Sequence, residues 1–253
     1  MDKFLLKAAL LIFIFLHTNL LLAQKQEITV GAASSLREVI EDIGKNFEKE
    51  NPSIKVKYSF AGTQSIFRQI ENKAPIDIFI SAHTKYILEL EKRGDLFKNT
   101  YRIFAKNLLV VAGPSHAQIE DLSKLNSNKF RKIAIGSEAV PAGIYARELL
   151  SKNNLIEALN EKFVKTTSVR HALKLLNMGL VDAAFVYKSD LYNAKPNIKE
   201  IFTPKPEIIA EYPVAVLNYS QEKLAALVFY EYLLSKKSQT ELRKYSFLRG
   251  GDD

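Results

Sequence analysis

The sequence predicts an α/β fold with largely parallel sheets, and three observations predict it. Strand-like runs are followed by helix-like runs again and again along the chain. The run Ile78-Phe79-Ile80 is short and wholly apolar, as strands buried on both faces are. The turns from strand into helix are rich in small and hydroxyl residues, as in Gly31 to Ser35, Ala61-Gly62-Thr63 and Gly136 to Gly143.

In chain order, Ile28-Thr29-Val30 begins as a strand and turns through Gly31, Ala32 and Ala33 to Ser34 and Ser35. A helix from Leu36 to about Glu50 follows, with Leu36, Ile40, Ile43 and Phe47 on one face. Ser35 and Glu38 have the spacing of a capping box. Ile54 to Phe60 alternates as a strand, and Gly62-Thr63 leads into a helix carrying Ile66, Phe67 and Ile70. After the strand at Ile78, a helix from about Lys85 to Arg93 stops at Gly94. Leu108 to Ala112 is the next strand, and Ser115 to Phe130 reads as a loop with a short helix. Lys132 to Ile135 is a strand whose long turn enters a helix at about Ile144 to Lys152. A helix over Ser168 to Met178 starts on a good N-cap serine and ends at Gly179. Asp182 to Val186 is a strand that delivers Tyr187. The chain then extends over Ile208 to Leu217 and finishes in helices at about Gln221 to Leu234 and Ser238 to Tyr245.

The chain has 253 residues, 47% hydrophobic and 25% charged, enough for one large or two small domains with an ordinary core. It has no cysteine, which excludes disulfides, thiolate metal sites and a cysteine nucleophile. Its net charge of +8 comes from scattered lysines without a nucleic-acid-binding motif, so no nucleic-acid partner is expected. Lys3 and Lys7, the apolar run Ala8 to Leu16 and a cleavage site after Ala23 read as a secretory signal peptide over residues 1–23. No cysteine follows it to carry a lipid, so the expected location is a periplasm, without a lipid anchor.

Phosphate-binding loops, dinucleotide fingerprints, HExxH and GxSxG are all absent. His83, His116 and His171 are far apart, and the serines have no obvious base. A helix that starts at the carboxyl end of a strand presents free backbone N–H groups and the positive end of its dipole. Ser35, Thr63, Ala142 and Val169 all fall at such starts. The residues therefore point to a small oxyanion held at several helix N-termini, outside the cytoplasm, with no chemistry done on it. Each residue also has a plainer use: Ser35 as an N-cap, Tyr187 as a core tyrosine.

The ordered segments ITVGAASSL, YSFAGTQSIFRQI, APIDIFISA, AVPAGIYA, SVRHAL, AAFVYKSD and EYPVAV resemble the periplasmic molybdate-binding proteins of molybdate ABC importers, nearly end to end of the mature chain. The resemblance implies a type II periplasmic binding protein fold, with two α/β lobes and a ligand cleft between them. It implies a first lobe over 24–104 and 216–253 and a second over 105–215. Its ligand would be molybdate or tungstate, its partner the membrane permease, its state monomeric. No cofactor and no enzymatic activity are expected. Carried over, the oxyanion donors are Ser35, Thr63, Ala142, Val169 and Tyr187, and any metal enters only as the oxyanion on those same residues. The alternatives are another tetrahedral anion such as sulfate, or an exported enzyme on the same scaffold. Two residues depart from the family pattern. Thr63 stands where serine is usual, and its methyl narrows the site. Glu38, as a capping-box partner, could occupy the Ser35 N–H and repel a dianion, unless it turns outward to Arg37, Lys45 or solvent or is displaced by the anion.

Overall fold

The computed structural model describes residues 26–251. The signal peptide expected over residues 1–23 lies outside them. Strands β1 (Gln26–Ala33), β2 (Ile54–Ala61) and β3 (Ile78–Ile80) form a parallel group with β1 in the middle. Helices α1 (Arg37–Glu50), α2 (Thr63–Glu71) and α3 (Thr84–Lys92) connect and follow them. The second group is β5 (Ile133–Gly136), β6 (Phe163–Thr166) and β7 (Ala183–Tyr187), also parallel. With it come α4 (Pro141–Lys152), the single turn α5 (Ile156–Leu159) and α6 (Val169–Asn177).

Two long strands, β4 (Arg102–Pro114) and β9 (Ile209–Val216), join the groups, giving the order β2-β1-β3-β9-β4-β7-β5-β6. Both run against their neighbours. β9 is antiparallel to β3, and β4 is antiparallel to β9, to β7, and to β8 (Ile198–Phe202) and β10 (Leu248–Arg249). The sheet is therefore mixed rather than largely parallel. The βαβ pattern holds within each lobe, while the strands between lobes have no crossover helix to impose it. β4 pairs β9 along Arg102 to Leu108 and β7 from Leu109, and its register shifts against β9 at Ile103/Ala105 and against β8 at Val111/Ala112.

The sequence foresaw only the apolar second half of β4, because Arg102, Lys106 and Asn107 break the pattern in the first. β6, β8 and β10 were not foreseen either: β6 and β8 are short and half-exposed, β10 exposed. Helices α7 (Lys223–Leu234) and α8 (Lys236–Lys244) return to the first lobe and pack on α1 and β1. There Phe47 meets Phe229 edge-on at 4.8 Å and Tyr232 at 5.3 Å. The apolar face of α1 is fully buried at Ile40, Ile43 and Phe47, as is Leu36 just before it.

Candidate functional site

The five candidate residues come together. Ser35, Thr63, Ala142, Val169 and Tyr187 line one cavity with Ala33, Ser34, Gly62, Ala82, Val140, Pro141 and Ser168. The cavity leaves about 10 Å³ for the centre of a water-sized group. Including such a group's own 1.4 Å radius, the hollow is on the order of 2.7 Å in radius, the scale of a small ion.

Helix starts from both lobes meet there, for local reasons. Ser34–Leu36 forms a 3-10 turn that enters α1. Thr63 is the first residue of α2 after Gly62. Pro141 opens α4, where its missing N–H costs nothing, so the helix begins three residues before the position the sequence suggested. Gly143 lets that first turn lie against β5, since a Cβ there would sit 2.2 Å from the Gly136 carbonyl oxygen. Ser168 caps α6 by accepting from the His171 N–H at 3.1 Å. The N–H groups of Ala142 and Val169 fall in first turns, which have no intrahelical acceptor.

The hydroxyls are set as donors. Thr63 Oγ1 accepts from the Ala82 N–H at 3.1 Å, which leaves its own proton for the cavity. Ser35 Oγ lies 3.0 Å from the Tyr212 phenol. When that phenol, the stronger acid, donates, the Ser35 proton is likewise free. Asn107 Nδ2 reaches the Tyr212 oxygen at 3.5 Å and supports this direction. Tyr187 is buried, and its hydroxyl has no hydrogen-bond partner among the described residues. Burial, with Tyr212, Tyr145 and Asp190 adding to it, raises its pKa well above that of an ordinary phenol, so it stays a donor. Among the described residues, no ionisable side chain other than Tyr187 lines the cavity. An orphaned buried O–H among free N–H and O–H groups fits an acceptor-only guest.

The capping box does not form. Neither the 3-10 turn at Ser34 nor α1 has a side-chain cap, Ser35 Oγ being turned to Tyr212. Glu38 turns neither to Lys45 nor to Arg37, which pairs with Glu41 at 3.5 Å and lies over the Phe60 ring. It pairs with Arg170 of the other lobe. Arg170 Nε also faces Asp190 at 3.4 Å. Asp190 is fully buried, and burial pushes its carboxyl up to about 6 against the opposing pull of Arg170 and the Tyr187 N–H. Sequence reasoning missed Ser34, Ala82 and Tyr212. Tyr212 lies in the EYPVAV segment, which the sequence marks only as extended chain.

The lobes also touch around the cavity. The Tyr86 hydroxyl donates to the Ala139 carbonyl, and His83 stacks on Tyr145 at 5.0 Å. Tyr192 also meets Tyr245 at 4.8 Å.

Residues 28–248 match the family model described as bacterial extracellular solute-binding protein. The molybdate-binding protein ModA of Escherichia coli (strain K12) is 33% identical over 234 residues, covering 89% of this chain and 90% of that one. Among solved structures, the periplasmic molybdate-binding protein of Azotobacter vinelandii superposes with a TM-score of 0.81 at 22% identity, over 88% of this chain and 100% of that one. The sulfate-binding protein SubI of Mycobacterium tuberculosis H37Rv gives 0.77 at 17% identity, over 88% and 86%. The two superpositions bear on the fold, which is that of periplasmic binding proteins.

Proposed function

The chain belongs to the bacterial extracellular solute-binding proteins, and from that premise we propose that it captures molybdate or tungstate and passes it to the membrane permease of an ABC importer. Relatives that carry the molybdate-binding name support the cargo. The observation that carries the reading is the orphaned Tyr187 hydroxyl in a small cavity of donors. The ligands in this reading are the hydroxyls of Ser35, Thr63 and Tyr187 and backbone N–H groups of Ser35, Thr63, Ala142 and Val169. In this reading the protein acts as a monomeric carrier in the periplasm and does no chemistry on its cargo. Its lobes would divide near residues 105 and 215.

Selection follows from the donors. Molybdate, tungstate and sulfate are fully deprotonated at neutral pH, so every oxygen accepts. Phosphate keeps a proton, which would be buried without an acceptor at a cost of about 1–3 kcal/mol, up to roughly a hundredfold in affinity. Donors on rigid helix starts cannot follow a smaller ion, so their bonds lengthen around sulfate. Calorimetric titration with the four anions tests this. Molybdate and tungstate should bind alike and tightly, sulfate much more weakly, and phosphate not measurably. Sulfate binding as tightly as molybdate would transfer the cargo to sulfate, a reading that the Thr63 methyl and the small hollow would then explain.

A further inference from the structure

The segments SVRHAL and YKSD supply more to this region than Val169 and Tyr187. Arg170 follows Val169 in the first turn of α6, and its guanidinium lies between the lobes. Nε donates to the Ser34 carbonyl at 3.3 Å and faces Asp190 Oδ1 at 3.4 Å. Nη2 donates to Glu38 Oε2. With its amide turned to satisfy both neighbours, Asn193 accepts from Nη1 at 2.5 Å and Nη2 at 3.2 Å and donates to Glu38 Oε1 at 3.3 Å. Ser34 and Glu38 belong to the first lobe; Arg170, Asp190 and Asn193 belong to the second. The complete cluster exists only when the lobes meet.

Its position relative to the donors gives it a role. The Ser34 carbonyl and the Ser35 N–H are two ends of one peptide, which is planar and trans, so they point in opposite directions. A hydrogen bond from a cation to the carbonyl fixes that plane and polarises the N–H on its far side. The carbonyl also accepts the Arg37 N–H, which holds the plane from the first lobe even before closure. Resting on the oxyanion reading above, we infer that Arg170 is a positioning residue that, on closure, locks the Ser34–Ser35 peptide and passes positive charge through it to the anion. Glu38 through its hydrogen bond and Asp190 as a charge 3.4 Å from Nε offset the charge of the guanidinium. Selection is thereby left to the geometry of the donors rather than to net charge. Glu38 in this arrangement is committed to Arg170 and does not compete for the Ser35 N–H.

The test is stopped-flow and calorimetric titration of the purified protein with sodium molybdate, for wild type, Arg170→Lys and Arg170→Gln. Arg170→Gln leaves the buried Asp190 without its cation, so the double variant Arg170→Gln, Asp190→Asn is measured beside it, with ligand-free melting curves for all. Arg170 reaches the first lobe only in the closed form. Association should therefore stay within about threefold of wild type, while dissociation in both glutamine variants quickens about tenfold to a hundredfold. Lysine keeps the charge without the planar fork and should recover part of the loss. A merely structural role would lower the ligand-free melt and leave dissociation alone. Unchanged dissociation in glutamine variants that bind molybdate overturns the inference and leaves the proposed function standing. Slower association with unchanged dissociation makes Arg170 an attractor instead and also overturns it. Failure of the wild type to bind molybdate overturns the proposed function, and the inference with it.

Discussion

Replacing Tyr187 with phenylalanine should move affinity and ligand-free stability in opposite directions. The hydroxyl is buried and has no partner among the described residues. An unpaired buried O–H costs about 1–3 kcal/mol relative to water. Phenylalanine removes that cost and keeps the ring edge-on to Tyr212 at 5.7 Å. Taking the low end, the closed ligand-free form should gain about 1 kcal/mol, which at this chain length is a rise of at most about 2–4 °C in melting temperature, and less in proportion to the open form, where water meets the hydroxyl. The bound state loses a hydrogen bond to a charged acceptor, worth about 1.5–3 kcal/mol. At about 1.4 kcal/mol per decade, molybdate affinity should fall about tenfold to a hundredfold. Because burial holds the phenol protonated far above its usual range, the loss should be the same at pH 7 and pH 9. Differential scanning fluorimetry without anion and isothermal titration with molybdate read the two halves. Wild-type affinity in the variant, or a ligand-free melt lowered by several degrees, would refute the reasoning.

Other perturbations address other parts of the site. Molybdate at a hundredfold excess over its dissociation constant should stabilise the wild type by roughly 2.7 kcal/mol, a shift of several degrees, and Ser35→Ala, Thr63→Val should lose that shift; an equal shift in the double variant would mean the site lies elsewhere. In Gly62→Ala the new Cβ would sit 2.5 Å from the Thr167 carbonyl oxygen of the other lobe, while the Gly62 φ of −59° suits alanine. The cleft should be propped open, with affinity down at least tenfold and, in small-angle scattering, no contraction on adding molybdate; contraction equal to wild type would count against it. Asp190, raised by burial from 3.8 to about 6, takes up its proton more readily folded than unfolded. Its contribution to stability is therefore fully present below about pH 4 and lost as pH rises towards 6. Asp190→Asn should gain on wild type across that window, by a few kcal/mol at most at about 1.4 per pKa unit, and a difference flat from pH 4 to 7 would contradict this.

The legible parts of the fold are those where periodicity and burial agree. The run Ile78-Phe79-Ile80 and the strand into Tyr187 are apolar because both sides of the sheet are covered, and α1 is apolar on the one face it buries. β4 was legible only from Leu108 onward, where its residues are continuously buried up to Gly113; its first part alternates with exposed Arg102 and half-buried Lys106. Antiparallel pairing of β4 and β9 has no local mark at all, since no turn joins them and they are some hundred residues apart. Only the resemblance to a family suggested that the chain leaves one lobe and returns.

The donors were legible for a different reason. A helix start is a local event, written in Ser168 before Val169 or in Pro141 before Ala142, and the free N–H groups come with it whatever the rest of the chain does. What each side chain does there is not local. The spacing of Ser35 and Glu38 suits a capping box, worth about 1 kcal/mol. Across the cleft, 132 residues away in sequence, stands a guanidinium, and a hydrogen bond between charged groups is worth about 1.5–3 kcal/mol. The stronger of these two interactions takes Glu38, and a buried phenol takes Ser35 Oγ. Each exchange favours anion binding: the carboxylate is drawn to Arg170, and with the Tyr212 phenol donating, the serine proton is left for the cavity. The closed arrangement of the lobes, more than the sequence around Ser35, makes that helix start a donor for an anion.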